Sequence, residues 1–289
     1  MTRRVAGKVA LITGAARGQG RSHAIRLAEE GADIIALDFC EDIATNEYAL
    51  ASEADLAETE ALVEKLGQRV VTVKADVRER AQMKLAVDQA VAELGGLHVV
   101  VANAGICPLG AQVSPQSFVD AVSVDLVGVV NTVDAAMPHL HAGASIIATG
   151  SVGALINGGG TENPANGPGG AGYTFAKRQV ARLVHDLANV LAPHSIRVNA
   201  VHPTNVNTAM LQSEPMYRIF RPDLPNPTRE DAELAFPAMQ RMPIPYIDPS
   251  DVSNAVLFLA SDEARYVTGL QFKVDAGALL PSTASGAPA

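Results

Sequence analysis

The sequence predicts a single-domain α/β chain built on one doubly wound, mostly parallel sheet of seven strands. Two observations carry this expectation. Short apolar runs alternate with stretches of helical periodicity from Val9 to Val274, the pattern of strands covered on both faces by helices. The residues that follow those runs are the glycine-rich and polar ones: Gly14 to Gly20, Asp38, Asp76, Asn103, Ser151 and Pro203-Thr204. Ligands of open α/β sheets bind at those strand ends.

Val9 to Ile12 reads as the first strand, followed by a turn with glycines at 14, 18 and 20 and a helix through Ile25, Leu27 and Ala28 to Gly31. Ile34 to Leu37 is the second strand, ending on Asp38. The polar, acidic stretch Phe39 to Ser52 is longer than an ordinary strand-to-helix connection, so it is either an elaborated loop near the adenosine end of a ligand or a surface insertion. Ser52 caps a helix with Leu56, Val63 and Leu66 on one face, and Gly67 stops it. Val70 to Val73 forms the third strand, leading to Asp76-Val77, and a helix follows over Arg80 to Leu94 with Met83, Val87 and Val91 aligned.

His98 to Ala102 is the fourth strand, ending in Asn103-Ala104-Gly105. A long helix is expected over Ser117 to Leu140, stopped around Pro138, before the fifth strand Ser145 to Thr149. Asn157 to Gly172, rich in glycine and proline, reads as loop. Tyr173 to Leu191 reads as helix, Arg197 to Val201 as the sixth strand, residues 251–260 as helix and Gln271 to Val274 as the seventh strand. No linker divides residues 1–289, and the small polar tail, about 281–289, is expected to be flexible.

Composition narrows the function. The chain carries a net charge of −9 and no basic block, which disfavours nucleic-acid binding. Two cysteines, Cys40 and Cys107, and no Cys/His cluster at metal-ligand spacing argue against a disulfide scaffold and a metal site. Met1 to Gly7 lacks a hydrophobic signal core, and no apolar run approaches the roughly 18 residues of a membrane span. A soluble, cytoplasmic protein is the expectation.

The order strand, glycine loop, helix, strand, acid over residues 8–38 is that of a Rossmann-type dinucleotide site. Bare glycines let the backbone approach a pyrophosphate, and the helix N-terminus offers it unpaired N–H donors. Asp38, 18 residues past Gly20, stands where such sites hold a ribose-binding carboxylate. An aspartate there favours NAD and repels a 2′-phosphate, whereas Arg17 in the loop pulls the other way. Tyr173 and Lys177, four apart, share a helix face. A lysine so placed can lower a phenol's pKa from about 10, giving a base able to take an alcohol proton while hydride leaves its carbon. Ser151, at a strand end, is placed to orient the same oxygen. Taken alone, Tyr-x-x-x-Lys is more often a surface pair.

Together, Thr13-Gly14-x-x-x-Gly18-x-Gly20, Asn103-Ala104-Gly105, Ser151, Tyr173-x-x-x-Lys177 and His202-Pro203-Thr204 resemble the short-chain dehydrogenase/reductase family over residues 6–280. The resemblance implies Tyr173 as acid/base, Ser151 as polariser of the substrate oxygen, and Lys177 as the group that lowers the tyrosine pKa and binds the nicotinamide ribose. It also implies an NAD site formed by Gly14, Arg17, Gly18, Gln19, Gly20, Asp38, Phe39, Asp76, Val77, Asn103, Ala104, Gly105, Tyr173, Lys177, Pro203, Thr204, Val206 and Thr208. The run Gly14 to His23, the insertion after Asp38 and His202 to Thr208 look like the mycofactocin-associated, carveol-dehydrogenase-like subgroup. That likeness implies tightly held NAD, an external redox carrier such as mycofactocin, and a homotetramer.

Two departures stand out. The family's fourth catalytic residue is an asparagine, and the corresponding position here is Asp125, in Asp125-Leu126-Val127-Gly128. Aspartate can accept the same hydrogen bond but lacks the amide donor; a tolerated isostere is the simpler reading. Ser151 and Tyr173 are also 22 positions apart, more than is usual in the family, and a longer loop there would reshape one wall of the substrate pocket.

His23 and His202 are expected to be structural, and Cys107 a buried inert thiol. The methionines and aromatics from Met210 to Met239 fit either a plain hydrophobic mini-core or a lid over about 204–247; the lid is favoured, and its apolar content suggests a bulky hydrophobic alcohol or ketone, terpenoid or steroid-like. The leading expectation is thus an NAD-dependent alcohol dehydrogenase or ketone reductase. A non-catalytic nucleotide-binding sensor or scaffold, supported only by Asp125, is the alternative, and a sugar-nucleotide epimerase is weaker still.

Overall fold

The computed structural model describes residues 3–110, 112–156 and 166–281. In chain order the elements are β1 (Val9–Thr13), α1 (Gly18–Glu29), β2 (Asp33–Asp38), α2 (Glu53–Lys65), β3 (Val70–Lys74), α3 (Arg80–Leu94) and β4 (Val99–Ala102). There follow α4 (Gln116–Val122), a π-turn (Ser123–Val127), α5 (Gly128–Ala136), β5 (Ser145–Thr149), the single turn α6 (Val152–Leu155), α7 (Gly167–Leu191) and β6 (Arg197–Pro203). The chain ends with α8 (Glu214–Phe220), α9 (Arg229–Ala235), α10 (Pro249–Ala260) and β7 (Gln271–Val274). The seven strands make one all-parallel sheet in the order β3-β2-β1-β4-β5-β6-β7.

Alternation along each strand sorts the core into two layers. In β1, Val9 and Leu11 face α3, α5 and α7, while Ala10 and Ile12 face α1, α2 and α10. Each fully buried Leu, Ile or Val of this kind contributes about 1.5–3 kcal/mol relative to exposure. Strand order reverses between β1 and β4, and that switch point opens the crevice where ligands of such sheets bind. The helix ends follow local chemistry. Ser52 caps α2 in a reciprocal capping box with Asp55, and Gly95, at φ 88°, ends α3 in the left-handed region.

Two sequence expectations need correction. The glycine-rich loop extends only in part: α7 begins at Gly167, so residues 167–172 are helical, while residues 157–165 of that stretch lie outside the described residues. These glycines serve close packing. A Cβ on Gly169 would sit 1.9 Å from the Pro108 carbonyl oxygen, and one on Gly172 2.6 Å from that of Phe118. The long helix expected over 117–140 starts at Gln116 and is interrupted by the π-turn at Ser123–Val127, with a 3₁₀ turn at Met137–His139. The flexible tail expected from about 281 falls almost wholly outside the described residues.

His23 is fully buried between α1 and α10, with Nδ1 2.8 Å from Ser253 Oγ. Burial pushes its pKa down to about 3, so the ring is neutral. It packs helices and stands apart from the crevice. No helix among the described residues is long and apolar enough to cross a membrane.

Candidate active site

The crevice is a cavity of about 460 Å³ at the carboxyl ends of the strands. All eighteen residues put forward as cofactor-binding line it, and so does Ser151; Asp125 lies behind its wall.

One end is made of backbone. Gly14 (φ 66°) and Gly18 (φ 55°) hold left-handed conformations. A Cβ on Gly14 would come 2.9 Å from Ala104 Cα, and one on Gly20 1.9 Å from the Gly14 carbonyl oxygen. The loop from β1 is therefore pressed against both the segment after β4 and the first turn of α1. Thr13 fixes that register: its Oγ1 accepts from the N–H groups of Asn103 (3.0 Å) and Ala104 (3.1 Å), and its carbonyl accepts from Asn103 Nδ2 (3.0 Å). Helix α1 starts without a side-chain cap or an acidic first turn, leaving its N–H donors for an anion.

Asp38 ends β2 with its carboxylate accepting from the N–H of Ala16 at 2.9 Å and Cys40 at 3.3 Å. Burial raises its pKa, and these N–H groups and Arg17 oppose the rise. Arg17 donates to the Ala49 carbonyl, so its guanidinium is tied to the 39–52 segment. Asp76 is gripped by Arg78, whose Nε lies 2.9 Å from Oδ2, and the Arg78 guanidinium sits 5.2 Å over the Phe39 ring. These residues line the cavity beside the ends of β2 and β3. Gln19 Oε1 and Asn205 Nδ2, on residues that line the cavity, are buried without a protein hydrogen-bond partner. Glycines that leave no room for a Cβ, a free helix terminus, a carboxylate at the second strand end and orphaned polar atoms together fit a dinucleotide.

The other end is made of side chains. Ser151, in the turn after β5, accepts from Gly153 N–H at 3.0 Å through Oγ and hydrogen-bonds Tyr173. Behind it His202 Nε2 is hydrogen-bonded to Gln271 Oε1 at 2.6 Å, and the Gln271 amide nitrogen donates to the Ala181 carbonyl at 3.0 Å. His202 Nδ1 lies 2.9 Å from the Ser151 carbonyl oxygen and 3.2 Å from Ser151 N, so the ring is held against the backbone of the serine turn. Burial lowers the His202 pKa, in keeping with a neutral ring that holds the serine turn. Gly150 has no room for a side chain, because a Cβ would lie 2.4 Å from that imidazole.

Lys177 is buried one turn after Tyr173. Its ammonium donates to the Thr149 carbonyl at 2.9 Å, lies 3.5 Å from Asp125 Oδ2 and 5.7 Å from the Tyr173 ring centroid. Asp125, fully buried in the π-turn, accepts from Ile106 N–H at 2.8 Å through Oδ1. Burial raises its pKa to about 6 against the pull of Lys177 and that N–H. Burial holds the Tyr173 phenol above its ordinary value, Cys107, Asp125 and Tyr48 add to the rise, and the Ser151 bond opposes it. The lysine ammonium faces the Thr149 carbonyl and the Asp125 carboxylate.

The segments read as insertion and lid close the remaining walls. Residues 207–246 leave and return at a parallel bridge, Val206 to Ile247. They carry their own small core of Leu211, Tyr217, Ala232 and Phe236, with Phe220 and Phe236 rings edge-to-face at 4.7 Å. Met210, Met216, Ile219, Phe220 and Met239 face the cavity, so the mini-core and the cover are one structure. The 39–52 segment is an elaborated loop over the site: Ile43, Tyr48 and Leu50 line the cavity, and Glu47 pairs with Arg218 of α8 at 2.6 Å.

Sequence reasoning passed over three residues here. Tyr48 places its hydroxyl at the site, accepting from Cys107 N–H at 3.2 Å. Arg21 braces the glycine loop, its Nε 2.9 Å from the Ala16 carbonyl, and Thr59 Oγ1 donates to the Ala15 and Ala16 carbonyls. An arginine in the first turn of a helix opposes the macrodipole, and that oddity was the available signal. Cys107 lines the cavity, and burial raises its thiol pKa, as suits an inert side chain.

A family model described as enoyl-(acyl carrier protein) reductase matches residues 14–278. A short-chain type dehydrogenase/reductase of Mycolicibacterium smegmatis is 52% identical over 97% of this chain and 100% of its own length. The (−)-trans-carveol dehydrogenase of Rhodococcus erythropolis is 46% identical over 96% of this chain and 99% of its own. Among solved structures, carveol dehydrogenase from Mycobacterium avium in complex with NAD superposes with a TM-score of 0.90 at 47% identity, covering 96% of this chain and 99% of that one. On the sheet order, the site and these matches, the chain belongs to the short-chain dehydrogenase/reductase family.

Proposed function

We propose that this protein is an NAD-dependent oxidoreductase that transfers hydride between the nicotinamide and a hydrophobic secondary alcohol or ketone of carveol-like or steroid-like size. The observation that carries the reading is the joining of Ser151, Tyr173 and Lys177 at one end of a cavity whose other end is a glycine cradle closed by Asp38. NAD bound there supplies the hydride acceptor. The chain's own residues do the rest. Ser151 and Tyr173 hydrogen-bond the substrate oxygen, and Tyr173 takes the alcohol proton in oxidation or gives its own in ketone reduction. Lys177 holds the ribose side of the pocket, and the apolar face of α8 excludes water.

The name of the Rhodococcus relative supports the terpenoid-alcohol class, and the apolar lid residues support bulk over charge. A retained cofactor that turns over through an external carrier of the mycofactocin kind is the finer proposal. Its support is the double cover of segments 39–52 and 207–246, joined by Glu47 and Arg218. A homotetramer and a cytoplasmic location complete the reading; exposed Phe118, Val127, Val130 and Phe175 along α4, the π-turn, α5 and α7 offer an apolar face for such packing.

The test is a single-turnover experiment. NAD-loaded protein mixed with (−)-trans-carveol and a panel of secondary alcohols is expected to give about one equivalent of NADH absorbance with at least one of them. Intact bound NAD with no reduction by any alcohol, and no NADH oxidation by the matching ketones, contradicts the proposal and favours a non-catalytic nucleotide-binding role.

A further inference from the structure

Asp125 is an expensive residue to place where it is. Its side chain is fully buried, one oxygen accepts from Ile106 N–H, and the other, Oδ2, has no hydrogen-bond partner and faces the Lys177 ammonium at 3.5 Å. An ionised carboxylate without full hydrogen bonding is costly in such a site unless a charge compensates it. The backbone is shaped to permit the pair. The π-turn displaces Asp125 from the regular helical ladder, and Gly105 leaves the gap: a Cβ there would lie 3.3 Å from both Asp125 Oδ1 and Lys177 Nζ. The titratable groups facing Asp125 are Lys177 and Tyr173 from α7, Cys107 from the segment after β4 and Tyr48 from the 39–52 segment. Lys177 is the cation among them.

We infer that Asp125 is a positioning residue that compensates the Lys177 charge and thereby keeps Tyr173 in its protonated form, favouring proton donation to a ketone near neutral pH and moving alcohol oxidation to alkaline pH. The inference rests on the proposed acid/base role of Tyr173. The elevated phenol pKa, to which Asp125 contributes, is in line with it. A neutral side chain at 125 leaves the ammonium uncompensated, and a like-sized neighbouring charge shifts a pKa by about 1–3 units.

The experiment compares NAD-loaded wild type, Asp125→Asn and Tyr173→Phe. Tyrosinate absorbance is titrated with pH, and the signal missing from Tyr173→Phe belongs to Tyr173. In parallel, kcat/KM for oxidation of the alcohol found by single turnover is followed against pH. Asp125→Asn is expected to move both the Tyr173 titration and the alkaline limb of oxidation down by about 1–2 units. A purely structural role would lower kcat/KM at every pH without moving the titration. Unchanged Tyr173 titration in folded Asp125→Asn overturns the inference, while undiminished activity in Tyr173→Phe overturns the acid/base reading beneath it. If circular dichroism shows Asp125→Asn unfolded, Asp125→Ser keeps an acceptor for Ile106 N–H without the charge, and the same two outcomes decide.

Discussion

The two ends of the cavity are built from different materials. The end at residues 13–38 is backbone, with glycines, a free helix terminus and N–H groups around one carboxylate. The end at residues 103–177 is a set of side chains, with Lys177 3.5 Å from the buried Asp125 carboxylate and Ser151 hydrogen-bonded to Tyr173. A site made of backbone fails by sterics, all at once. A site made of coupled side chains fails by degrees, and through pH.

The largest effect is expected from Gly20→Ala. Its methyl would collide with the Gly14 carbonyl at 1.9 Å, a backbone contact no rotamer change relieves. Calorimetric titration should show NAD affinity down by about 100-fold, roughly 2.7 kcal/mol. Binding within a few-fold of wild type would mean the loop rearranges freely and the backbone end is less rigid than described.

Asp38→Ala should have a smaller and more selective effect. Loss of the carboxylate is expected to weaken NAD about 10-fold and to narrow the preference over NADP, because repulsion of a 2′-phosphate is removed. An unchanged preference would assign the choice to Arg17, now seen bonded to the Ala49 carbonyl.

A third effect appears only in acid and tests the packing of α1 on α10, away from the crevice. His23 has a folded pKa of about 3, below its unfolded 6.5, so the unfolded chain binds the proton first and stability is lost as pH falls from 6.5 toward 3. His23→Gln should remove that dependence, and its urea-unfolding free energy should gain on wild type by about 1.4 kcal/mol per unit below pH 6.5. Parallel curves would show that the ring takes up its proton in the folded state.

The same contrast explains what could be read from the sequence. Backbone sites are written locally: glycine spacing, the run before it and Asp38 after it gave the first end, and apolar runs gave all seven strands. Ser151, Tyr173 and Lys177 were named from the set of motifs that resembles the family, and the structure brings the three to one end of the cavity. The rest depends on distant partners. Gly169 and Gly172 looked like loop residues until Pro108 and Phe118 were seen against them. Tyr48 reaches the site only because an acyclic-looking polar segment folds back over it, and nothing in its neighbours announces that. Burial, Cys107 and Asp125 all raise the Tyr173 pKa, and Asp125 lies 48 positions away in the chain, so the local pairing of tyrosine and lysine does not reveal these surroundings.

The central claim is that the Tyr173 hydroxyl moves the proton and that retention of the cofactor does not depend on that hydroxyl. The direct measurement is rapid-mixing absorbance of NAD-loaded wild type and Tyr173→Phe with the responsive alcohol, alongside mass spectrometry of bound NAD. The account predicts NADH formation slowed by about 100-fold or more in the variant at unchanged NAD content. NADH formation at the wild-type rate in Tyr173→Phe would contradict it.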